Sequence, residues 1–174
     1  TREDRVEEYR RLLGQCSRLR AVVPGGSTRQ ESVRNGVRAL SPDCTLAAIH
    51  DGARPLVTPE VFARCIEAAR SCGAATAAVP VKDTIKLADE AGRVLDTPDR
   101  SRLWAVQTPQ IFDRERYLRA AEEAERRGLS CTDDCQLFEA MGWEVQLVMG
   151  DYRNLKLTTP EDFLAAGVYL EGIK

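Results

Sequence analysis

The stretch from Cys44 to Val81, CTLAAIHDGARPLVTPEVFARCIEAARSCGAATAAVPV, decides how the chain is read. "CTLAAIH" is a short apolar run that stops at a histidine, and "DGARP" follows as a polar loop. In "TPEVFARCIEAARSCG" apolar residues recur at helical spacing, with Thr58 as cap, Pro59 in the first turn and Gly73 as the stop. "AATAAVPV" then returns to the small and β-branched residues of a strand. Strand, helix and strand in succession point to the α/β class, with a mainly parallel sheet covered by helices on both faces.

The same alternation extends in both directions. Upstream, "EDRVEEYRRLL" has helical spacing, "LRAVV" reads as a strand ending at Pro24, and "QESVRNGVRAL" reads as a helix. Downstream the period changes: "DTIKLADEAGRVLDT" holds two short strand-like pieces about a polar "DEAG" turn, a hairpin projecting from the main body. "LWAVQ" resumes a strand, "RERYLRAAEEAERRG" and "TDDCQLFEAMG" are helices, "WEVQLVMG" is a strand, and "TPEDFLAAGVYLEG" is a capped final helix. One domain over residues 1–174 is expected, with residues 83–103 as an arm within it.

Composition bounds the function. A chain of 174 residues, 43% apolar and 30% charged, can bury a core as one domain. A net charge of -2 gives no global pull toward nucleic acid or a membrane surface, so an anion site has to be local. No apolar run approaches the roughly 18 residues of a membrane span, and "TREDRVEEYRR" lacks a signal-peptide core; the cytoplasm is the expected compartment. Six cysteines form no C-x-x-C pair, and the one histidine cannot complete a common zinc site with them, so they read as reduced packing thiols.

Ligands in such sheets sit beyond the carboxyl ends of strands. "HDGARP" occupies one such end and "PGGSTRQES" another, and both should face one crevice. Gly25, Gly26 and Gly52 permit close backbone approach, and the N–H groups opening the helix after "GGSTR" suit anionic or polar ligand atoms. Other loop positions add Thr84, Lys86, Arg100, Thr108, Thr132 with Asp133 and Asp134, and Lys156. Hydroxyls, guanidinium groups and ammonium groups at successive loops lead to the expectation of a phosphate site. No serine elbow or nucleophile–base pair accompanies them, and His50 reads as a strand-end residue with its ring hydrogen-bonded.

Attack by one phosphate on another suits this inventory. A phosphate monoester is largely a dianion at neutral pH and needs no general base; the difficulty is the negative charge that gathers at the transferred phosphorus, which cations must offset. Each candidate also has a plainer reading. Thr108 could be a turn residue and Thr132 a helix cap, Arg54 and Arg100 could be solvated, and Asp133 and Asp134 could complement the positive end of a helix.

Six blocks, "VPGGSTRQESVRNGV", "IHDGARPLVT", "VPVKDTIK", "DRSRLWAVQTPQIF", "TDDCQLFEAMG" and "GDYRNLKLTTPEDF", stand in an order and spacing that resemble the 2-C-methyl-D-erythritol 4-phosphate cytidylyltransferase family. The resemblance covers nearly the whole chain. It implies a Rossmann-like three-layer α/β/α nucleotidyltransferase fold and formation of CDP-methylerythritol and pyrophosphate from CTP and methylerythritol 4-phosphate. It also implies Mg²⁺ held mainly by the CTP phosphates, with no dedicated protein ligand set.

By position, the resemblance puts Gly26, Ser27 and Ser32 around the cytosine, Gly52 beside the ribose, Asp51 at the reacting centre near the metal, and Lys156 on the α-phosphate. Arg54, Thr84, Arg100, Thr108 and Thr132 fall around methylerythritol phosphate, with Arg100 joining Asp51 and Lys156 in catalysis. The arm implies a homodimer in which Thr84 and Arg100 serve the partner's site. The family's opening strand and glycine-rich loop, with an arginine and a lysine for the triphosphate, have no counterpart in these residues. Poor CTP binding and slow or absent turnover are therefore expected of the chain by itself. Two other readings stand beside the main one: a cytidylyltransferase acting on ribitol 5-phosphate, and a non-catalytic dimeric fragment.

Overall fold

The computed structural model describes residues 1–171. In chain order the elements are α1 (Val6–Leu13), α2 (Arg29–Arg38), β1 (Leu46–Ile49), α3 (Pro59–Cys72), β2 (Ala74–Pro80), β3 (Leu87–Ala88), β4 (Val94–Asp96), β5 (Trp104–Asp113), α4 (Arg114–Arg126), α5 (Cys135–Ala140), β6 (Gln146–Met149) and α6 (Pro160–Glu171). The main sheet has the order β1-β5-β2-β6. β2 pairs parallel with β6, whereas β5 runs antiparallel to both β1 and β2. β1, β2 and β6 therefore share one direction, and β5 is the strand laid against them.

Alternation along the central strands builds the two sides of the core. Ala74 and Phe112 face Tyr117, Ala120 and Ala124 of α4 and Leu137 and Phe138 of α5. Their neighbours Ala75, Ala77 and Ile111 face Val61, Cys65 and Ala69 of α3 on the other side. Alanines along β2 let helices approach closely, and aromatic packing fills one face, with Phe112 and Phe138 centroids 4.9 Å apart. α3 starts at Thr58, whose side chain makes no capping hydrogen bond, and stops at Gly73, which adopts φ 92°. Only glycine takes that left-handed turn without strain, so β2 can begin at the next residue.

Two expectations are corrected. "LRAVV" forms no strand: residues 19–23 find no ladder partner among the described residues, and apolar alternation alone cannot make a strand without one. "TPQ" is not a turn after a short strand, because β5 continues through it to Asp113. The strand accommodates Pro109 with an irregularity: Thr76 pairs with Gln110 and Ala78 with Val106, so β5 spends more residues than β2 over the same span. A bulge removes the need for a proline N–H and turns the adjoining side chains out of register. The hairpin β3–β4 is a separate two-stranded sheet, with Leu87, Val94 and Leu95 more than half exposed.

Candidate active site

The bulge in β5 puts Thr108 beside the loop that follows β1. The Asp51 backbone N–H donates to Thr108 Oγ1 at 3.1 Å, and Thr108 Oγ1 lies 2.9 Å from His50 Nδ1. A third loop, after β6, closes over the same point. Gly150 donates its N–H to the Ala78 carbonyl at 2.8 Å, and a Cβ there would stand 3.3 Å from that carbonyl oxygen, so the close approach favours glycine. Asn154 is fully buried; its side-chain amide donates to the Thr108 carbonyl at 2.8 Å, and its own carbonyl accepts from Arg54 Nη1 at 2.8 Å. Gln107 completes the tie by donating to the Asp151 carbonyl at 2.9 Å.

These contacts aim three charges at one another. Lys156 Nζ is 3.1 Å and Arg54 Nε 3.6 Å from the same Asp51 oxygen, Oδ2. Arg54 is largely buried; desolvation draws its pKa below the ordinary value while Asp51 works the other way. Lys156 remains half exposed. Around them opens a cleft of about 430 Å³ whose walls include Arg29, Thr108, Gln110, Thr132 and Asp133.

The far wall rests on Asp134, which is 1% exposed. Its Oδ2 pairs with Arg29 Nη2 at 2.6 Å, its Oδ1 accepts from the Tyr117 hydroxyl at 2.9 Å, and its N–H donates to Gln110 Oε1 at 3.1 Å. Burial and the facing Asp134 carboxylate raise the Tyr117 pKa, so the phenol stays protonated and donating. Asp133, by contrast, accepts from the Gln136 N–H at 3.1 Å and so does the capping expected of an acid at this position. Thr132 exchanges hydrogen bonds with Gln136, one from its N–H to Oε1 and one from Nε2 to its Oγ1, each 3.0 Å.

Of the residues singled out in the sequence, Asp51, Arg54, Thr108, Thr132 and Lys156 line this one cleft. Gly26, Ser27 and Ser32 instead line a neighbouring hollow ahead of α2. Their polar groups are engaged locally: the Gly26 N–H donates to Ser32 Oγ at 3.0 Å, and the Ser27 N–H and hydroxyl both donate to Glu31 Oε2, at 2.7 and 2.8 Å. Those bonds hold the Glu31 carboxyl below its usual pKa range. The donors expected to face a ligand thus face an internal carboxylate. Gly52 does not line the cleft, and neither do Thr84 or Arg100; Arg100 donates to the Lys82 carbonyl at the base of the arm, 2.7 Å away. Arg29, Gln107, Gln110 and Asn154 are site residues that sequence reasoning missed. Only "GGSTR" carried a local signal, for Arg29, since the others act through partners distant in sequence.

A cleft with an acid between two cations, flanked by the Thr132 hydroxyl and a further guanidinium, can hold phosphate groups and stabilise charge built up on them. A family model described as IspD, 2-C-methyl-D-erythritol 4-phosphate cytidylyltransferase, matches residues 1–172. The 2-C-methyl-D-erythritol 4-phosphate cytidylyltransferase of Caldanaerobacter subterraneus subsp. tengcongensis is 53% identical over 149 residues, which make up 86% of this chain and 66% of that protein. That of Trichormus variabilis is 54% identical over 161 residues, 91% of this chain and 71% of that protein. Among solved structures, 4-diphosphocytidyl-2C-methyl-D-erythritol synthase from Anaerococcus prevotii superposes with a TM-score of 0.90 at 35% identity, covering 98% of this chain and 78% of that one. The Thermus thermophilus enzyme gives 0.77 at 37% identity, with coverage of 86% and 72%. The chain belongs to the 2-C-methyl-D-erythritol 4-phosphate cytidylyltransferase family.

Proposed function

We propose that the protein transfers CMP from CTP to 2-C-methyl-D-erythritol 4-phosphate. A phosphate oxygen of the acceptor forms a bond to the α-phosphorus of CTP, the bond from that phosphorus to the bridging oxygen breaks, and pyrophosphate leaves with the electron pair. The observation that carries the reading is Lys156 Nζ held 3.1 Å from Asp51, with Arg54 alongside, in a cleft also walled by Thr108 and Thr132. Lys156 meets the α-phosphate and offsets charge as phosphorus becomes five-coordinate. Asp51 keeps the ammonium in place, and Arg54 and Thr132 meet the acceptor phosphate.

Asp51 also fits a divalent cation of the Mg²⁺ kind. Its side chain is 24% exposed at the edge of the cleft, and one carboxylate completed by substrate phosphates and waters is a common way of holding that ion. Bound there, Mg²⁺ would neutralise phosphate charge. The cytosine would lie near Gly26, Ser27 and Ser32, and taking up their donors requires the Glu31 carboxylate to release Ser27.

The arm supports a homodimer: its half-exposed leucines and valine are an apolar surface on a two-stranded hairpin, which has little stability alone. Thr84 and Arg100 at its base would complete the partner's cleft, and the cytoplasm is the compartment of this soluble chemistry.

The test is pyrophosphate release from CTP and methylerythritol 4-phosphate with Mg²⁺, run for these 174 residues alone and preceded by the family's glycine-rich loop segment. Turnover with the segment and weak CTP binding without it is expected, because no lysine-bearing glycine-rich loop lines the cleft among the described residues. Turnover with ribitol 5-phosphate in place of methylerythritol 4-phosphate would overturn the substrate. Folded dimers inactive with both would favour a non-catalytic role.

A further inference from the structure

His50 takes no part in the reaction proposed above, yet its ring is bonded on both sides. Nε2 is 3.1 Å from the Arg54 carbonyl oxygen, and Nδ1 is 2.9 Å from Thr108 Oγ1. A carbonyl oxygen can only accept, so the proton of the neutral ring belongs on Nε2. Nδ1 is then an acceptor, and the single hydrogen of the Thr108 hydroxyl must point at it. The same oxygen accepts the Asp51 N–H at 3.1 Å. Phe62, with its centroid 5.3 Å from that of the imidazole, packs against the ring and limits its rotation.

We propose that His50 is a positioning residue which, by fixing the direction of the Thr108 hydroxyl, holds the Asp51 backbone in place beneath Lys156 and leaves Thr108 an acceptor only. The chain of contact runs from the Arg54 carbonyl through imidazole and hydroxyl to the Asp51 N–H, so one ring ties both ends of the "DGAR" loop to β5. Toward a ligand Thr108 has a lone pair and no hydrogen. It therefore accepts from a hydroxyl of the polyol and offers nothing to a phosphate oxygen, which sharpens the assignment of Thr108 to the acceptor substrate. This inference rests on the reading of Asp51 and Lys156 as the reacting centre.

The chain contains one histidine, so nitrogen NMR of histidine-labelled protein reads this ring without assignment. At a pH where the ring is neutral, the expected spectrum has Nε2 protonated and Nδ1 bare, and Thr108→Val moves the Nδ1 signal while Nε2 keeps its proton. A ring protonated on Nδ1 would free the hydroxyl to donate and overturn the proposal, as would a spectrum indifferent to Thr108→Val. Two variants then separate positioning from mere packing: His50→Asn can still accept from Thr108, and His50→Gln can still donate to the Arg54 carbonyl. In the active protein His50→Gln is expected to lose kcat about tenfold more than His50→Asn, with KM for CTP similar in the two. Equal losses that track thermal stability would overturn the positioning role. Should the wild-type protein prove inactive, the functional reading fails while the NMR result still decides the hydrogen-bond arrangement.

Discussion

Three cations line the cleft among the described residues, and their surroundings assign them different work. Arg29 is committed to Asp134 and Arg54 to the Asn154 carbonyl, so each is held by protein before any ligand arrives. Lys156 is half exposed and, among the described residues, bonded only through Asp51, which leaves ammonium hydrogens for a phosphate. Replacing it should therefore damage turnover and spare the fold. Lys156→Ala is expected to lower kcat by about 10² to 10³-fold, the usual cost of removing a donor aimed at developing charge. Its unfolding free energy should shift by less than about 1 kcal/mol, since an exposed ion pair contributes little. Pyrophosphate release and a urea melt measure the two effects, and a kcat within threefold of wild type would remove Lys156 from the reacting centre. Lys156→Arg should rescue only part of the loss, because a planar guanidinium does not occupy the place of a compact ammonium.

Between elements, Asp134 is the point where α2, α4 and α5 meet: Arg29 opens α2, Tyr117 sits in α4, and Asp134 is the residue before α5. Asp134→Ala would leave a buried phenol and a half-buried guanidinium without their acceptor. A loss of about 3 kcal/mol is expected, at the lower end for a broken buried pair because Arg29 can turn to water. The urea midpoint should fall with an unchanged slope, whereas a loss under about 0.5 kcal/mol would show that the wall stands without this carboxylate. Asp134 also shows where sequence reading reached its limit. Two adjacent acids before a helix look alike in sequence, yet Asp133 caps the helix and Asp134 joins a network whose partner Arg29 lies 105 residues away. Alternation of strand and helix was legible because period and punctuation are local. The continuation of β5 through "TPQ" was not, since proline ordinarily ends a strand and only the pairing with β2 reveals a bulge. The same holds within the cleft. Asp51 and Arg54 announce themselves beside a glycine, while Asn154 and Gln107 acquire their roles from loops that meet only after folding.

At the scale of the whole molecule, Arg100 and Thr84 stand apart from the cleft, at the root of an arm whose apolar side chains face solvent. The proposed twofold dimer would carry each arm to the other subunit, covering the apolar hairpin and bringing Arg100 to the partner's cleft. If each cleft takes Lys156 from one subunit and Arg100 from its partner, the two residues can be separated by mixing. Lys156→Ala and Arg100→Ala dimers should each be nearly inactive in the full protein. After unfolding and refolding as an equimolar mixture, half the dimers carry one subunit of each kind. In these, one cleft collects both lesions and the other collects neither, so the mixture should regain about a quarter of wild-type turnover under random pairing. Sedimentation confirms that dimers have reformed, and a doubly substituted chain mixed with wild type supplies the control for exchange. A mixture that stays inactive while its dimers are intact would place Arg100 in the cleft of its own subunit, and the arm would then serve assembly alone.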